Sequence, residues 1–165
     1  MIDLHAHTTA SDGSLTPTEL VALARESGLS ALGVTDHDTV GGLGEATAAA
    51  RAAALELVPG VELSVDYPHG QFHLLGYFVD FTSRKLLDRL QYLQDYRFRR
   101  NEKMVELMQQ HGLPLTMEDL AREAGGTVIG RPHMALALVE KESSAQPRRR
   151  STATWPREDP ATSRR

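Results

Sequence analysis

The chain has 165 residues, of which 41% are hydrophobic and 24% charged, an ordinary composition for one globular domain. It contains no cysteine, which excludes disulfides, thiolate metal ligands and cysteine nucleophiles. The net charge of −4 divides into −8 over residues 1–140 and +4 over residues 141–165, and an acidic body does not favour stable binding of duplex nucleic acid. We find no long apolar run and no signal-like start, and therefore expect a cytoplasmic protein without a membrane span.

Strands and helices alternate over the first 81 residues. A helix is predicted to begin at Thr16, with Glu19 three residues on, and to end at Gly28. The third strand is predicted to break at Pro59-Gly60 and to end at Glu62. Helical crossovers imply parallel pairing, so we expect an α/β sheet or barrel. Strands are predicted over residues 2–7, 31–35, 56–61 and 71–81, with a second helix over 41–55.

After residue 82 the sequence pattern predicts helices without intervening strands. Helices are predicted over 83–110, 116–124 and 134–139, which makes residues 83–141 an all-helical insertion or subdomain. From Glu142 the apolar pattern stops, and Arg, Ser, Thr and Pro dominate, so residues 142–165 are predicted to be a disordered tail. The predicted division is therefore 1–82, 83–141 and 142–165.

Histidines and carboxylates follow successive strands. His5 and His7 are two residues apart on the first predicted strand. Side chains at that spacing point to the same side of a strand, so both can face one metal. Imidazole and carboxylate ligands together suit Mn, Fe or Zn better than Mg or Ca. Two or three such cations, about 3.5–4 Å apart, can hold a hydroxide that attacks phosphorus, and can hold the phosphate as well. The candidate ligands and catalytic residues are His5, His7, Asp12, His37, Glu62 and His73.

Each of these residues also has an ordinary structural interpretation. Asp36, beside His37, could cap the helix that follows, Glu62 could be a surface residue and His73 a core histidine. Ligand-type residues at successive strand ends jointly favour the metal site. His69 and His111 are expected to be structural or exposed.

The motifs together resemble a known family, the PHP (polymerase and histidinol phosphatase) superfamily. Within it the chain is most similar to the bacterial branch of 3′,5′-nucleotide bisphosphate phosphatases and 5′-3′ exoribonucleases. The resemblance runs over residues 1–141. It is carried by Asp3-Leu4-His5-Ala6-His7-Thr8, Ser11-Asp12-Gly13, Thr35-Asp36-His37-Asp38, Pro59-Gly60-Val61-Glu62, His73-Leu74-Leu75-Gly76-Tyr77 and Gly130-Arg131-Pro132-His133.

The resemblance implies a distorted (β/α)7 barrel with a helical inserted subdomain and a three-metal cluster. By the family pattern His5, His7 and Glu62 share one metal, Asp12 and His37 serve a second, and Glu62 and His73 serve a third. It further implies a small phosphorylated substrate, a nucleotide bisphosphate or short oligonucleotide. The residues expected to contact its phosphate are Arg131 and His133, with Arg99 and Arg100 as weaker candidates.

One departure affects the expected activity. The family barrel continues past residue 141, but residues 142–165 contain no histidine and match none of its later strands. We therefore expect an incomplete barrel, produced by truncation or a shifted reading frame. Each metal is then expected to lack at least one of its protein ligands. The predicted function is a metal-dependent phosphoesterase, inactive in this form if the missing ligands are essential. The alternatives are a non-catalytic fragment or regulatory module, and an amidohydrolase-like enzyme, which the motifs fit poorly.

Overall fold

A computed structural model describes residues 1–67, 70–125 and 128–145. Four strands and five helices are formed within those ranges. The strands are β1 (Ile2–Ala6), β2 (Ala31–Val34), β3 (Glu56–Tyr67) and β4 (Gly70–Tyr77). The helices are α1 (Pro17–Glu26), α2 (Leu43–Ala52), α3 (Arg84–Gln110), α4 (Met117–Ala124) and α5 (Arg131–Ala145).

The sheet has the order β1-β2-β3-β4, and its first three strands are parallel. The crossovers through α1 and α2 produce this pairing, which confirms the prediction of an α/β fold. β4 follows β3 directly and pairs with it antiparallel. The number of strands expected of a complete (β/α)7 barrel stays a prediction.

The predicted break in β3 is wrong, because this strand changes its partner at Pro59-Gly60 instead of ending there. Pairing with β2 runs to Pro59, and pairing with β4 begins at Gly60. A Cβ atom on Gly60 would lie 2.7 Å from the Thr35 methyl group and 2.9 Å from the Gly76 carbonyl, so only glycine fits where the two partners meet. Glu62 therefore lies inside the strand rather than at its end.

The start of α1 agrees with its predicted capping signal, whereas both ends of α2 differ from the prediction. The capping box of Thr16 and Glu19 is formed as predicted. α2 begins two residues later than predicted, because Gly41 and Gly42 form a turn. It ends before Leu55, because Ala54 adopts a left-handed conformation with φ of 50°.

Two apolar clusters lie along α3. The first packs the sheet, α1 and α2 against the N-terminal half of α3, where Leu90 is 3% exposed. The second packs the C-terminal half of α3 against α4 and α5, around Leu115, Leu120 and Met134. Because α3 belongs to both clusters, it connects the sheet to the helical region. The domain division at residue 82 stays a prediction.

α5 is longer than predicted, running from Arg131 to Ala145 instead of from 134 to 139. Pro132 is tolerated in its first turn, and the Gly130 N–H donates to His133 Nδ1 at 3.0 Å. The prediction of disorder from residue 142 is wrong for residues 142–145, since the first helix breaker in that stretch is Pro147. The rest of the predicted tail, residues 146–165, lies outside the described residues.

No helix in the described ranges is both long enough and apolar enough to cross a membrane. The cytoplasmic location stays a prediction.

Candidate metal centre

The buried carboxylate of Glu62, 2% exposed, is the centre of the predicted site. Its Oε2 lies 2.9 Å from His5 Nε2 and 2.8 Å from His7 Nε2. Those two nitrogens are 3.1 Å apart: His5 lies in β1, His7 directly follows its last residue, and the two side chains point to the same side as the spacing of two residues predicts. Its other oxygen, Oε1, lies 2.7 Å from His73 Nδ1 on β4. Three strands thus bring three imidazoles to one carboxylate.

A second group lies beside the first. His7 uses its other ring nitrogen, Nδ1, which lies 2.9 Å from Asp12 Oδ1. Asp12 Oδ2 lies 3.6 Å from His37 Nε2, and His37 Nδ1 lies 3.6 Å from Glu62 Oε2. All six predicted ligands therefore converge. They form three overlapping sets: His5, His7 and Glu62; His7, Asp12 and His37; and His37, Glu62 and His73.

The donor atoms suit divalent cations. Ligands about 2.0–2.2 Å from one cation lie about 2.8–3.6 Å apart, from octahedral to tetrahedral geometry, and the 3.1 Å that separates the His5 and His7 nitrogens falls in this range. His37 supports the same interpretation, since its buried Nδ1 has no hydrogen-bond partner among the described residues. A buried ring nitrogen of this kind is unfavourable unless a ligand satisfies it. The residues therefore fit a metal site with nitrogen and oxygen ligands.

The site keeps its carboxylates ionised. The hydrogen bond with His7 lowers the pKa of Asp12 to about 2, and the same contact raises the pKa of His7. Burial acts to raise the pKa of Glu62, but the hydrogen bond with His5 and the nearby His37 and His7 leave that pKa below its usual value. Burial lowers the pKa of His37, which favours the neutral imidazole that a metal requires.

We expect Asp12→Asn to lower the free energy of unfolding of the metal-free protein by about 2 kcal/mol, since the pKa of Asp12 falls from 3.8 to about 2 on folding. This stabilisation is present above the unfolded pKa of 3.8 and is lost as pH falls towards 2. The raised pKa of His7 adds stability that is present below 6.5 and is lost as pH rises through the folded value. The difference between the two proteins is therefore expected to be largest between about pH 4 and 6.5.

Urea denaturation with a chelator at pH 3, 5.5 and 8 measures this difference. The matched control is Asp88→Asn, because Asp88 is 66% exposed and its ion pair with Arg84 lies on the surface of α3. An Asp12→Asn difference that stays the same from pH 5.5 to pH 3 contradicts the assignment.

Asp36 supports the site without joining any of the three ligand sets. Its carboxylate accepts hydrogen bonds from the Thr8 N–H at 2.7 Å, the Thr8 hydroxyl at 2.8 Å and the Ser11 hydroxyl at 2.7 Å. The alternative that Asp36 caps α2 is wrong, because the N-cap of that helix is Gly42 and it receives no side-chain hydrogen bond. Asp36 instead holds the loop that carries His7 and Asp12.

A cleft of about 220 Å³ adjoins the cluster and contains three arginines. Asp12, His37 and His73 lie on one part of its wall, and Arg97, Arg100 and Arg131 on another. An anionic ligand in the cleft would meet the candidate metal ligands and the guanidinium groups together.

The predicted phosphate contacts are distributed unequally around this cleft. Arg100 and Arg131 line it, but Arg99 is exposed on α3 and is absent from its wall. His133 is 5% exposed and uses Nδ1 to accept from the Gly130 N–H at the start of α5. Of the remaining histidines, His111 is exposed at the end of α3 as expected, and His69 lies outside the described residues.

Arg97 was not predicted from the sequence. It is 9% exposed, lines the cleft and forms an ion pair with Asp38. One signal could have indicated it, since Arg97 precedes Arg100 by three residues, and side chains at that spacing share one face of a helix.

Comparison with known proteins gives a family match over most of the chain. The PHP domain family matches residues 3–151, which extends past the limit at residue 141 set by the motifs. A 5′-3′ exoribonuclease of Haemophilus influenzae is 38% identical over 138 residues, covering 84% of this chain and 50% of that protein. A 3′,5′-nucleoside bisphosphate phosphatase of Chromobacterium violaceum is 34% identical over 140 residues, 84% of this chain and 49% of that protein. The chain spans about half the length of the curated relatives it matches.

A solved structure shares the fold. It is described as an amidohydrolase of Chromobacterium violaceum with bound sulfate and no metal, and it superimposes with a TM-score of 0.80 at 34% identity. The alignment covers 86% of this chain and 50% of that one.

Proposed function

Because the chain belongs to the PHP domain family, and is by family a hydrolase, we propose that it is a metal-dependent phosphoesterase. The proposed reaction is hydrolysis of a phosphomonoester of a nucleotide or short oligonucleotide. The observation that carries this proposal is the position of the arginine-lined cleft directly beside the histidine and carboxylate cluster. The histidines and carboxylates on one part of the cleft wall can bind cations, and the arginines on the other part can bind phosphate oxygens.

Two or three divalent cations, Mn, Fe or Zn, are the proposed cofactors. When bound they would lower the pKa of a coordinated water and neutralise charge on the phosphoryl oxygens. Glu62 would be shared between two of the ligand sets, because its oxygens face different histidines. Asp12 and His37 would complete a further set with His7.

The arginines would hold and orient the substrate. A guanidinium group presents paired N–H donors that match two oxygens of a phosphate. Arg131 at the start of α5 and Arg100 on α3 therefore favour a phosphoryl group that points towards Asp12 and His37. His133 would act indirectly, by fixing the first turn of α5 through Gly130.

The relatives support this class of substrate. The exoribonuclease acts on RNA by its name, and the bisphosphate phosphatase acts on a nucleotide with two phosphates. The sulfate in the solved structure is an oxyanion, as phosphate is. The description of that structure as an amidohydrolase favours a second candidate, hydrolysis of an amide. Assays with amide and phosphate substrates in parallel separate the two reactions.

We expect that removal of metal abolishes phosphate release from adenosine 3′,5′-bisphosphate and that added Mn²⁺, Fe²⁺ or Zn²⁺ restores it. A cation that binds only the folded chain stabilises it by about 2.7 kcal/mol at 100 times its dissociation constant. The expected rise in melting temperature is about 5–10 °C. Metal analysis, thermal denaturation and a phosphate assay on the same preparation measure all three effects.

The site assignment is tested with His7→Ala, because His7 belongs to two of the three ligand sets. His111→Ala is the control, since His111 is exposed at the end of α3, outside the cluster. Equal metal content in the two variants contradicts the site. Metal binding by the wild type without hydrolysis of any substrate supports the non-catalytic module instead.

A further inference from the structure

Asp38, which directly follows His37, forms hydrogen bonds through its backbone N–H, its backbone carbonyl and both carboxylate oxygens. Its N–H donates to the Glu62 carbonyl at 2.9 Å, and its carbonyl accepts from Gln94 Nε2 at 2.8 Å. Its Oδ1 accepts from the Ser64 N–H at 2.8 Å, and its Oδ2 accepts from Arg97 Nε at 3.0 Å. Arg97 Nη2 also donates to the Asp38 carboxylate and to the Ser64 hydroxyl. The side chain and both backbone polar groups of Asp38 are thus occupied.

Two of these partners come from α3, more than 50 residues away in the chain. Gln94 and Arg97 lie almost one helical turn apart and contact the backbone and the side chain of the same residue. Asp38 is 1% exposed and has a left-handed backbone with φ of 51°, a conformation that aspartate adopts more readily than most residues. The contacts from α3 and β3 stabilise this uncommon conformation.

His37 depends on its neighbours for its position. Among the described residues, neither ring nitrogen approaches a carboxylate more closely than the 3.6 Å to Asp12 and to Glu62, so the ring is not fixed by hydrogen bonds of its own to these groups. The backbone on one side is fixed by Asp36, which binds the loop of Thr8 and Ser11. The backbone on the other side is fixed by Asp38. The ring packs edge-on against the imidazoles of His7 and His73, with centroids 4.6 and 4.8 Å away, and the conformation of the two flanking residues directs it into that position.

We propose that Arg97, together with Gln94, is a positioning residue that orients His37 for metal binding by acting through Asp38. This inference rests on the proposed metal centre, and it assigns two residues of α3 a role in positioning one of the candidate metal ligands. The guanidinium group of Arg97 is directed at Asp38 and Ser64, and removal of it leaves a buried carboxylate without its ion pair. Asp38 would then keep its contacts with Ser64, Gln94 and Glu62 but lose those from Arg97, and the backbone that carries His37 would be less restrained.

The alternative is that Arg97 contacts the substrate phosphate directly, since it also lines the cleft. The two roles differ in what they affect. A direct contact changes phosphate affinity and leaves metal affinity unchanged. A positioning role changes metal affinity in the absence of phosphate, and it disappears when Asp38 can no longer form the ion pair.

The test is a double-mutant cycle of Arg97→Met and Asp38→Asn, with cation affinity measured without phosphate. Asn tolerates the left-handed conformation but removes the charge. We expect each single variant to weaken binding by about 2–30-fold, because the hydrogen bonds of both side chains go to each other and to Ser64 and not to a candidate metal ligand. We expect the double variant to be no weaker than the worse single variant. The absorption spectrum of bound Co²⁺, which reports ligand geometry, is expected to change in the same variants.

Arg89→Met is the matched control, because Arg89 is exposed on the same helix. If Arg97→Met does not fold, as judged by circular dichroism, Gln94→Leu takes its place, since it removes only the contact to the Asp38 carbonyl. Unchanged cation affinity in a folded variant, or additive losses in the cycle, overturns the positioning role alone. A wild type that binds no cation overturns the proposed function as well.

Discussion

Glu62→Gln is expected to remove most of the bound cation and to lower phosphate release by about a thousandfold or more, the effect of losing several kcal/mol of transition-state stabilisation. The amide keeps the shape of the side chain but replaces one ligand oxygen with an NH₂ group that only donates. Both oxygens of Glu62 face imidazoles, with Oε2 close to His5 and His7 and Oε1 close to His73. A single substitution therefore affects two ligand sets.

Glu56→Gln is the control for this substitution. Glu56 is the first residue of the same strand and is exposed, so the same chemical change there leaves the cluster intact. Metal content by elemental analysis and phosphate release are measured on both variants at equal concentration. Retention of the wild-type metal content by Glu62→Gln contradicts the assignment of Glu62 as a shared ligand.

The part of the site that could be predicted from the sequence follows from local rules. The alternation of side chains along a strand places His5 beside His7, and the end of a parallel strand places His37 at the same edge of the sheet. The capping box of Thr16 and Glu19 in α1 is likewise local and forms as predicted, and Thr116 and Asp119 form one of the same kind at α4. Such features depend on residues only a few positions apart, and the pattern of the sequence contains them.

The features that were mispredicted or missed depend on distant partners. Pro59-Gly60 is a typical turn signal, but β2 and β4 pair with the two halves of β3 and keep the strand continuous. Asp36 resembles a helix cap in sequence, but its oxygens accept from Thr8 and Ser11 on a loop 25 or more residues earlier. These contacts exist only after the sheet has formed, so no local pattern indicates them.

Arg97 illustrates the same limit for function. In the sequence it is one of several arginines on a long charged helix, and the family resemblance indicates Arg99 and Arg100 instead. Only the fold shows that Arg97 is buried against Asp38, that Arg100 faces the cleft and that Arg99 faces solvent. The helical region therefore contributes to the candidate site through particular residues of α3, and its contribution depends on how that helix packs against the sheet.

Arg131→Met is expected to lower kcat/KM for adenosine 3′,5′-bisphosphate by about 10–100-fold, the usual range for a charge-assisted hydrogen bond of about 1.5–3 kcal/mol. Arg131 lines the cleft at the first residue of α5, where the helix dipole also favours an anion. Metal content is expected to stay at the wild-type level, since Arg131 belongs to none of the ligand sets. This combination separates a substrate contact from damage to the metal centre.

Arg100→Met and Arg99→Met extend the comparison along α3. Arg100 lines the cleft and is expected to behave as Arg131 does, whereas Arg99, exposed and absent from the cleft wall, is expected to change kcat/KM by less than about threefold. The three variants are assayed at one ionic strength, because screening by salt weakens exposed charges more than enclosed ones. Equal kcat/KM for Arg131→Met and the wild type, or a larger loss for Arg99→Met than for Arg100→Met, would place the phosphate outside this cleft.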